Sequence, residues 1–133
     1  MAVIDASLYV ALINDHEVHH TRSWAWFETA RADQERIAAP AILLAEVASA
    51  LGRGPGETEA RQAAKDLEQS SIIELVPVTQ ALARRAAAIA AKHRLRGCDA
   101  IYVALADRLD DQLVTLDRQQ LERGAKVVLT RRP

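Results

Sequence analysis

Residues 2–7, Ala-Val-Ile-Asp-Ala-Ser, decide the fold. The apolar run 2–4 shows no alternation with polar residues, which is typical of a strand buried on both faces. Asp5 follows this run and lies at the predicted carboxyl end of the strand. In open parallel sheets, ligands bind outside the carboxyl ends of the strands, where the strand order reverses. Because a desolvated acid is costly, an acid at that place needs a partner or a metal ion.

The rest of the chain alternates short apolar runs with helical segments. Four further strands are predicted, at residues 37–39, 72–76, 112–116 and 126–129. Seven helices are predicted, at residues 6–13, 19–32, 41–51, 57–69, 80–93, 99–109 and 117–123. This alternation predicts an α/β fold with a central, mainly parallel five-stranded sheet and helices on both faces. Residues 1–133 are interpreted as one domain, since the chain shows no internal repeat and no linker.

Composition narrows the class of protein further. The formal net charge is −1, so there is no global basic field of the kind that marks many nucleic-acid-binding proteins. The single cysteine, Cys98, excludes an internal disulfide and fits a reducing compartment. The sequence shows neither a signal peptide nor an apolar run long enough to span a membrane. These features predict a cytoplasmic location.

Four carboxylates stand out by their positions. Asp5 and Asp117 each follow a predicted strand, and they meet at one edge of the sheet if those strands are neighbours. Glu46 lies in the helix after the second strand, and Asp99 lies at the start of a later helix. Helix capping is an alternative role for each aspartate, and it is compatible with metal binding. Glu46 lies beside an apolar stripe, where glutamate is rarely buried unless it is paired.

Carboxylates that share a pocket repel one another. Two unit charges 4 Å apart cost about 4 kcal/mol at an effective dielectric of about 20. Such a cluster requires protons or a cation, and an all-oxygen site suits Mg²⁺ or Mn²⁺ rather than Zn²⁺. Because Mg²⁺ in proteins is often shared with substrate phosphates, the cluster indicates phosphodiester or phosphoryl hydrolysis by a metal-activated water.

Four segments that contain these acids resemble a known family. They are residues 3–7 (Val-Ile-Asp-Ala-Ser), 44–47 (Leu-Ala-Glu-Val), 96–106 (Arg-Gly-Cys-Asp-Ala-Ile-Tyr-Val-Ala-Leu-Ala) and 113–118 (Leu-Val-Thr-Leu-Asp-Arg). Their order and spacing resemble the PIN-domain family, in particular the VapC-type toxins of type II toxin–antitoxin pairs. The segment around Asp99 is the most specific of the four.

The resemblance implies a three-layer α/β/α fold and a metal-dependent endoribonuclease that uses Mg²⁺ or Mn²⁺. It implies that the catalytic and metal-binding acids are Asp5, Glu46, Asp99 and Asp117. Ser7 and Thr115 match positions where a hydroxyl supports the metal site. The resemblance further implies RNA as the substrate, a homodimer, and a small antitoxin protein that wraps the toxin and blocks its site.

Three basic residues are candidates for RNA binding. Arg94 and Arg96 lead directly to Asp99, and Arg118 follows Asp117. They can form a phosphate-binding lip that supplies the salt-sensitive part of RNA binding. The alternative is that they belong to solvated helix surfaces.

Two predictions concern apolar side chains. Trp24 and Trp26 cannot face the same way on one helix, so at least one is expected to be exposed and to suit a groove for a partner. Cys98 is a small departure from the family pattern, in which an aromatic or other residue often precedes the aspartate. It is predicted to be a small buried thiol that does not touch the acids.

Parts of the sequence also match three other functions. A catalytically silent binding module of the same fold, for RNA or protein, remains open, although it would not need all four acids. An aspartyl-phosphate receiver domain needs a lysine at the end of its last strand, whereas Lys126 begins the predicted one. Residues 16–20 match the His-Glu-x-x-His zinc motif, but Asn14 and Asp15 directly precede it. The two histidines are therefore assigned to a loop and a helix entry, not to a helix interior.

Overall fold

The computed structural model describes all residues from 1 to 133. Five strands form one sheet in the order β3-β2-β1-β4-β5, and every neighbouring pair is parallel. The strands are β1 (Ala2–Ile4), β2 (Ile37–Pro40), β3 (Ile73–Val76), β4 (Gln112–Val114) and β5 (Thr130–Arg131). The predicted α/β fold with a five-stranded sheet is confirmed.

Seven helices surround the sheet. They are α1 (Ala6–Ile13), α2 (His20–Ala32), α3 (Leu43–Arg53), α4 (Glu57–Glu68), α5 (Gln80–His93), α6 (Gly97–Leu109) and α7 (Arg118–Gly124). Every residue of β1 and β2 is buried. Successive side chains of a strand point to opposite faces, so helices must cover both faces of the sheet. The α6 helix contacts β1, β2 and β4, and its buried run Tyr102–Ala106 fills much of the core.

The strand order places a crevice beside β1. From β1 the chain adds β2 and β3 on one side, whereas β4 and β5 are added on the other side. The order therefore reverses between β1 and β4, which pair from Ala2 with Gln112 to Ile4 with Val114. Asp5 directly follows β1 and Asp117 is the third residue after β4, so both lie at this carboxyl edge. The predicted adjacency of these two strands is confirmed.

The last strand was placed wrongly by the sequence pattern. The apolar stretch 126–129 continues the turn at the end of α7, because the N–H groups of Val127 and Val128 both donate to the Gly124 carbonyl. These N–H groups cannot also pair with β4. The strand instead comprises Thr130 and Arg131, which pair with Leu113 and Val114 of β4.

Two predicted boundaries near the acids also differ. The β4 strand ends at Val114 rather than Leu116, because Leu116 N donates to the Ser7 hydroxyl and leaves the ladder. The α6 helix begins at Gly97, with Arg96 as its N-cap, so Asp99 lies inside the first turn and does not cap the helix. None of the helices is both long enough and apolar enough to cross a membrane.

Candidate active site

Asp5 is held by donors on all sides at the end of β1. It caps α1 by accepting a hydrogen bond from Leu8 N to Oδ1 at 3.1 Å. The Ser7 hydroxyl donates to Oδ1 at 2.7 Å, and the Thr115 hydroxyl donates to Oδ2 at 2.7 Å. Only 2% of Asp5 is exposed. Ser7 and Thr115 therefore lie where the sequence predicted supporting hydroxyls.

Burial makes the charged form of Asp5 costly. Desolvation raises the pKa of Asp5 to about 6 from 3.8, although hydrogen bonds from Thr115, Ser7 and Leu8 N act in the opposite direction. The nearby Asp117 carboxylate raises the pKa a little further. An opposite charge in the cleft would favour the ionised carboxylate.

Asp99 faces two donors from opposite sides. Its Oδ2 accepts from Arg96 Nε at 2.8 Å, and its Oδ1 accepts from Gln120 Nε2 at 3.2 Å. Asp99 is 6% exposed, whereas the Arg96 side chain is 73% exposed. The Oδ2 oxygen of Asp99 therefore faces the exposed Arg96, whereas Oδ1 faces the buried Gln120.

Glu46 is tied to the core by a tyrosine. The Tyr102 hydroxyl donates to Glu46 Oε2 at 2.8 Å, and Tyr102 is completely buried. Burial, followed by the Glu46 charge, raises the pKa of Tyr102, so the phenol keeps its proton and remains a donor. This contact explains how a glutamate is accommodated beside the apolar stripe of α3.

Asp117 joins the group through the turn after β4. Its side chain caps α7 by accepting from Gln120 N at 2.8 Å, and its own N–H donates to the Thr115 hydroxyl at 2.9 Å. The other carboxylate oxygen, Oδ2, lies 3.9 Å from Arg96 Nη2. The predicted capping roles of Asp5 and Asp117 are both found, and both residues also face the cleft.

All four predicted acids line one cleft of about 850 Å³, together with Arg96 and Gln120. The carboxylates do not converge on one point. No three Asp, Glu, His or Cys side chains lie close enough together to hold a metal ion. The positions of their partners explain this spacing. Arg96 reaches both Asp99 and Asp117, and Tyr102 draws Glu46 toward the core.

The donors present nevertheless fit a hard divalent ion. The four acids supply only oxygen ligands, as Mg²⁺ and Mn²⁺ prefer. The arginine beside Asp99 and Asp117 already places a positive charge at the mouth of the cleft, where these carboxylates attract a cation.

Gln120 was not singled out by the sequence analysis. It is 2% exposed, and its Nε2 donates to Asp5 Oδ2 at 3.0 Å as well as to Asp99 Oδ1. Its position three residues after Asp117 was the available signal, since a glutamine there belongs to a helix-capping pattern. The sequence likewise predicted no separate role for Tyr102, which lies within the segment 96–106.

The three predicted RNA-binding arginines have different positions. Only Arg96 lines the cleft. Arg118 instead pairs with Glu122 at 2.7 Å, and it is largely exposed. Arg94 ends α5 in the left-handed conformation and does not line the cleft. A different arginine, Arg53, also lines the cleft. It ends α3, two residues beyond the predicted end of that helix at residue 51.

The prediction for Cys98 was wrong. The thiol is exposed, because α6 begins at Gly97 and turns this position toward the cleft. It also lies beside Glu46, and partial burial followed by the Glu46 charge raises the pKa of Cys98. The prediction that at least one tryptophan is exposed is confirmed, since Trp24 is 47% exposed and Trp26 is buried. Trp24 packs against His20 and Phe27 on the outside of α2.

The fold and the cleft together define an α/β protein with an acidic site at the switch point of a parallel sheet. The family model of the PIN domain matches residues 2–127, so this chain belongs to the PIN-domain family. No curated protein matches the chain in sequence.

Solved structures of similar fold cover nearly the whole chain. Mycobacterium tuberculosis VapC20, described as a sarcin-ricin loop cleaving toxin, matches with a TM-score of 0.81 and 20% identity over 100% of both chains. VapBC2 from Rickettsia felis, bound to a promoter DNA fragment, matches with a TM-score of 0.75 and 14% identity over 98% of this chain and 97% of the other. FitAcB from Neisseria gonorrhoeae matches with a TM-score of 0.73 and 19% identity over 98% of this chain and 96% of the other. At these identities the likeness establishes the fold.

Proposed function

We propose that this protein is a metal-dependent endoribonuclease that acts as the toxin of a toxin–antitoxin pair. The proposal depends on one observation, the presence of Asp5, Glu46, Asp99 and Asp117 around a single cleft at the carboxyl edge of the sheet. It is supported by membership of the PIN-domain family and by structural similarity to VapC20, described as a sarcin-ricin loop cleaving toxin.

The four acids are proposed to hold Mg²⁺ or Mn²⁺. When bound, such an ion orients the scissile phosphate, lowers the pKa of a water molecule and neutralises developing charge. Ser7 and Thr115 keep Asp5 oriented through their hydroxyl donors, so its carboxylate is positioned before the ion arrives. Tyr102 does the same for Glu46. In this proposal a water molecule attacks the phosphate, and no side chain acts as a covalent nucleophile.

Arg96 is proposed to bind the RNA backbone. It is the one member of the predicted arginine trio that lines the cleft, and its guanidinium is mostly exposed. An arginine beside the acids can exchange its carboxylate partner for a phosphate oxygen when RNA enters. Because the net charge of the chain is −1, local contacts of this kind must supply the attraction for RNA.

Protein partners follow from the same proposal. A solved structure of similar fold, with 19% identity and a TM-score of 0.66, is described as a toxin–antitoxin complex from Klebsiella pneumoniae. We propose a homodimer that a cognate antitoxin protein binds and silences. The exposed Trp24 offers an aromatic surface of the type found at protein interfaces.

The proposed activity is tested directly with the purified chain and a fluorescent RNA. Cleavage is expected to require Mg²⁺ or Mn²⁺, to stop in EDTA, and to return when either ion is added in excess. The reason is that neighbouring carboxylates without a cation repel the phosphate as well as one another. Cleavage that persists in EDTA would contradict metal dependence. Retained RNA binding without any cleavage would favour the silent binding module.

A second test addresses Arg96. Replacing it by alanine is expected to raise KM for RNA about tenfold, because one charge-assisted phosphate contact is lost. The slope of log KM against log salt concentration is expected to fall by roughly 0.7–1. Arg118→Ala is the matched control, since it removes an equally exposed arginine that pairs only with Glu122. Equal effects of both substitutions would exclude a specific role for Arg96.

A further inference from the structure

Gln120 contacts three of the four acids. Its side-chain Nε2 donates to Asp5 Oδ2 at 3.0 Å and to Asp99 Oδ1 at 3.2 Å. Its backbone N donates to the Asp117 side chain at 2.8 Å. These acids come from the end of β1, the first turn of α6 and the N-cap of α7. One residue thus connects carboxylates that are far apart in the chain.

The turn before α7 frees this side chain for the cleft. In a capping box, the glutamine at the third helical position reaches back to the N–H of the N-cap residue. Here that N–H belongs to Asp117 and already donates to the Thr115 hydroxyl at 2.9 Å. The Gln120 amide is therefore not needed for the cap, and it extends between Asp5 and Asp99 instead.

The other half of the amide supports a role in the site. Gln120 Oε1 is buried and has no hydrogen-bond partner. A buried polar atom without a partner is destabilising, and each such atom in a native structure needs an explanation. A leucine would fill similar space without this cost. The hydrogen bonds from Nε2 to Asp5 and Asp99 offset the cost of leaving Oε1 without a partner.

The two sides of the acid group are held differently. Gln120 binds the inner oxygen of Asp99, whereas the exposed Arg96 faces Oδ2 of Asp99 and Oδ2 of Asp117. The inner oxygen of Asp99 is thus fixed by a neutral amide, and the outer oxygens of Asp99 and Asp117 face a solvent-exposed cation. A donor that fixes one carboxylate oxygen and leaves the other free is the usual arrangement behind a metal ligand.

We propose that Gln120 is a positioning residue for the metal site, and this inference rests on the proposed function. Its side-chain amide holds Asp5 and Asp99 from the interior, and its backbone N–H holds Asp117, so that the outer oxygens of Asp99 and Asp117 can converge on a divalent ion beside Asp5. Gln120 does not itself bind the ion or the RNA, and it acts only through the three carboxylates.

The test is a Mn²⁺ titration of the full chain, in which free Mn²⁺ is measured by electron paramagnetic resonance. Gln120→Leu is expected to weaken Mn²⁺ binding about 10–100-fold, as is typical when a partner of a metal ligand is lost. The gain in Tm on adding Mn²⁺ should shrink accordingly. Gln119→Leu is the matched control, because Gln119 is the exposed neighbour on the same helix. It is expected to bind Mn²⁺ like the unchanged protein.

The outcomes separate this inference from the proposed function. Unchanged Mn²⁺ affinity in Gln120→Leu would show that the residue only fills space, and a higher affinity would show that the amide competes with the ion. Either result overturns the inference. Failure of the unchanged protein to bind Mn²⁺ would instead contradict the proposed function.

A measurement on the unchanged protein covers the case in which Gln120→Leu does not fold. The side-chain amide protons of Gln120 should stay protected from solvent exchange when Mg²⁺ is saturating, because their bonds to Asp5 and Asp99 persist. Loss of that protection on adding Mg²⁺ would overturn the inference without any substitution.

Discussion

Asp99→Asn is expected to reduce metal-stimulated RNA cleavage by on the order of 10³-fold or more, the scale seen when a central catalytic group is removed. Asp99 is 6% exposed and lies between two donors, Arg96 Nε and Gln120 Nε2. An asparagine removes the charge and also turns an amide N–H₂ toward one of these donors. The site thereby loses both a ligand for the ion and the bridge between Arg96 and the interior.

The measurement is the initial rate of cleavage of a fluorescent RNA, with growth of expressing cells as a second readout. Asp107→Asn is the control, because Asp107 lies on the same helix and pairs with Arg85 away from the cleft. The control should cleave RNA and arrest growth as the unchanged protein does. Comparable activity in Asp99→Asn, with an intact circular dichroism spectrum, would contradict the assignment of this acid.

Asp5→Asn is expected to abolish cleavage and, in the metal-free protein at neutral pH, to stabilise the fold. Burial raises the pKa of Asp5 to about 6, whereas the unfolded chain has the ordinary value of 3.8. The folded state therefore binds the Asp5 proton more tightly than the unfolded chain does. This tighter binding stabilises the fold fully below about pH 4, and the stabilisation is lost as the pH rises through about 6. A difference of about two pKa units corresponds to at most about 3 kcal/mol.

Thermal unfolding in EDTA at pH 7.5 and pH 5 measures this effect. The unchanged protein should have a higher Tm at pH 5, and the advantage of Asp5→Asn should be present at pH 7.5 and small at pH 5. Asp33→Asn, at the exposed end of α2, should show no such pH-dependent difference. A destabilised Asp5→Asn protein at pH 7.5 would contradict the view that desolvation dominates at this position.

The fold was predictable because its central strands are unusually clear in the sequence. Runs such as Ala2–Ile4 lack alternation since both faces are buried, and the helices between them show their own periodicity. The last strand was not predictable in the same way. Val127 and Val128 have the composition of a strand, but the local hydrogen bonds to Gly124 compete for the same backbone groups. Apolar composition alone does not distinguish these outcomes.

The placement of the four acids around one cleft was predictable because they follow strand ends or lie near helix starts. Such positions can be read directly from the sequence. The partners of the acids were not predictable, because they depend on distances across the fold. The contact from Tyr102 to Glu46 joins two helices, and the contact from Gln120 to Asp5 joins opposite ends of the chain. Cys98 was assigned to the interior from residue type, yet the start of α6 at Gly97 exposes it.

The pairing of β1 with β4 has a consequence during protein synthesis. Asp5 leaves the ribosome before β4, the strand beside it, and its donors Thr115 and Gln120 follow 110 and 115 residues later. Contacts that span almost the whole polypeptide form late. Under the proposed function, a translation product truncated before β4 therefore has no active site to silence.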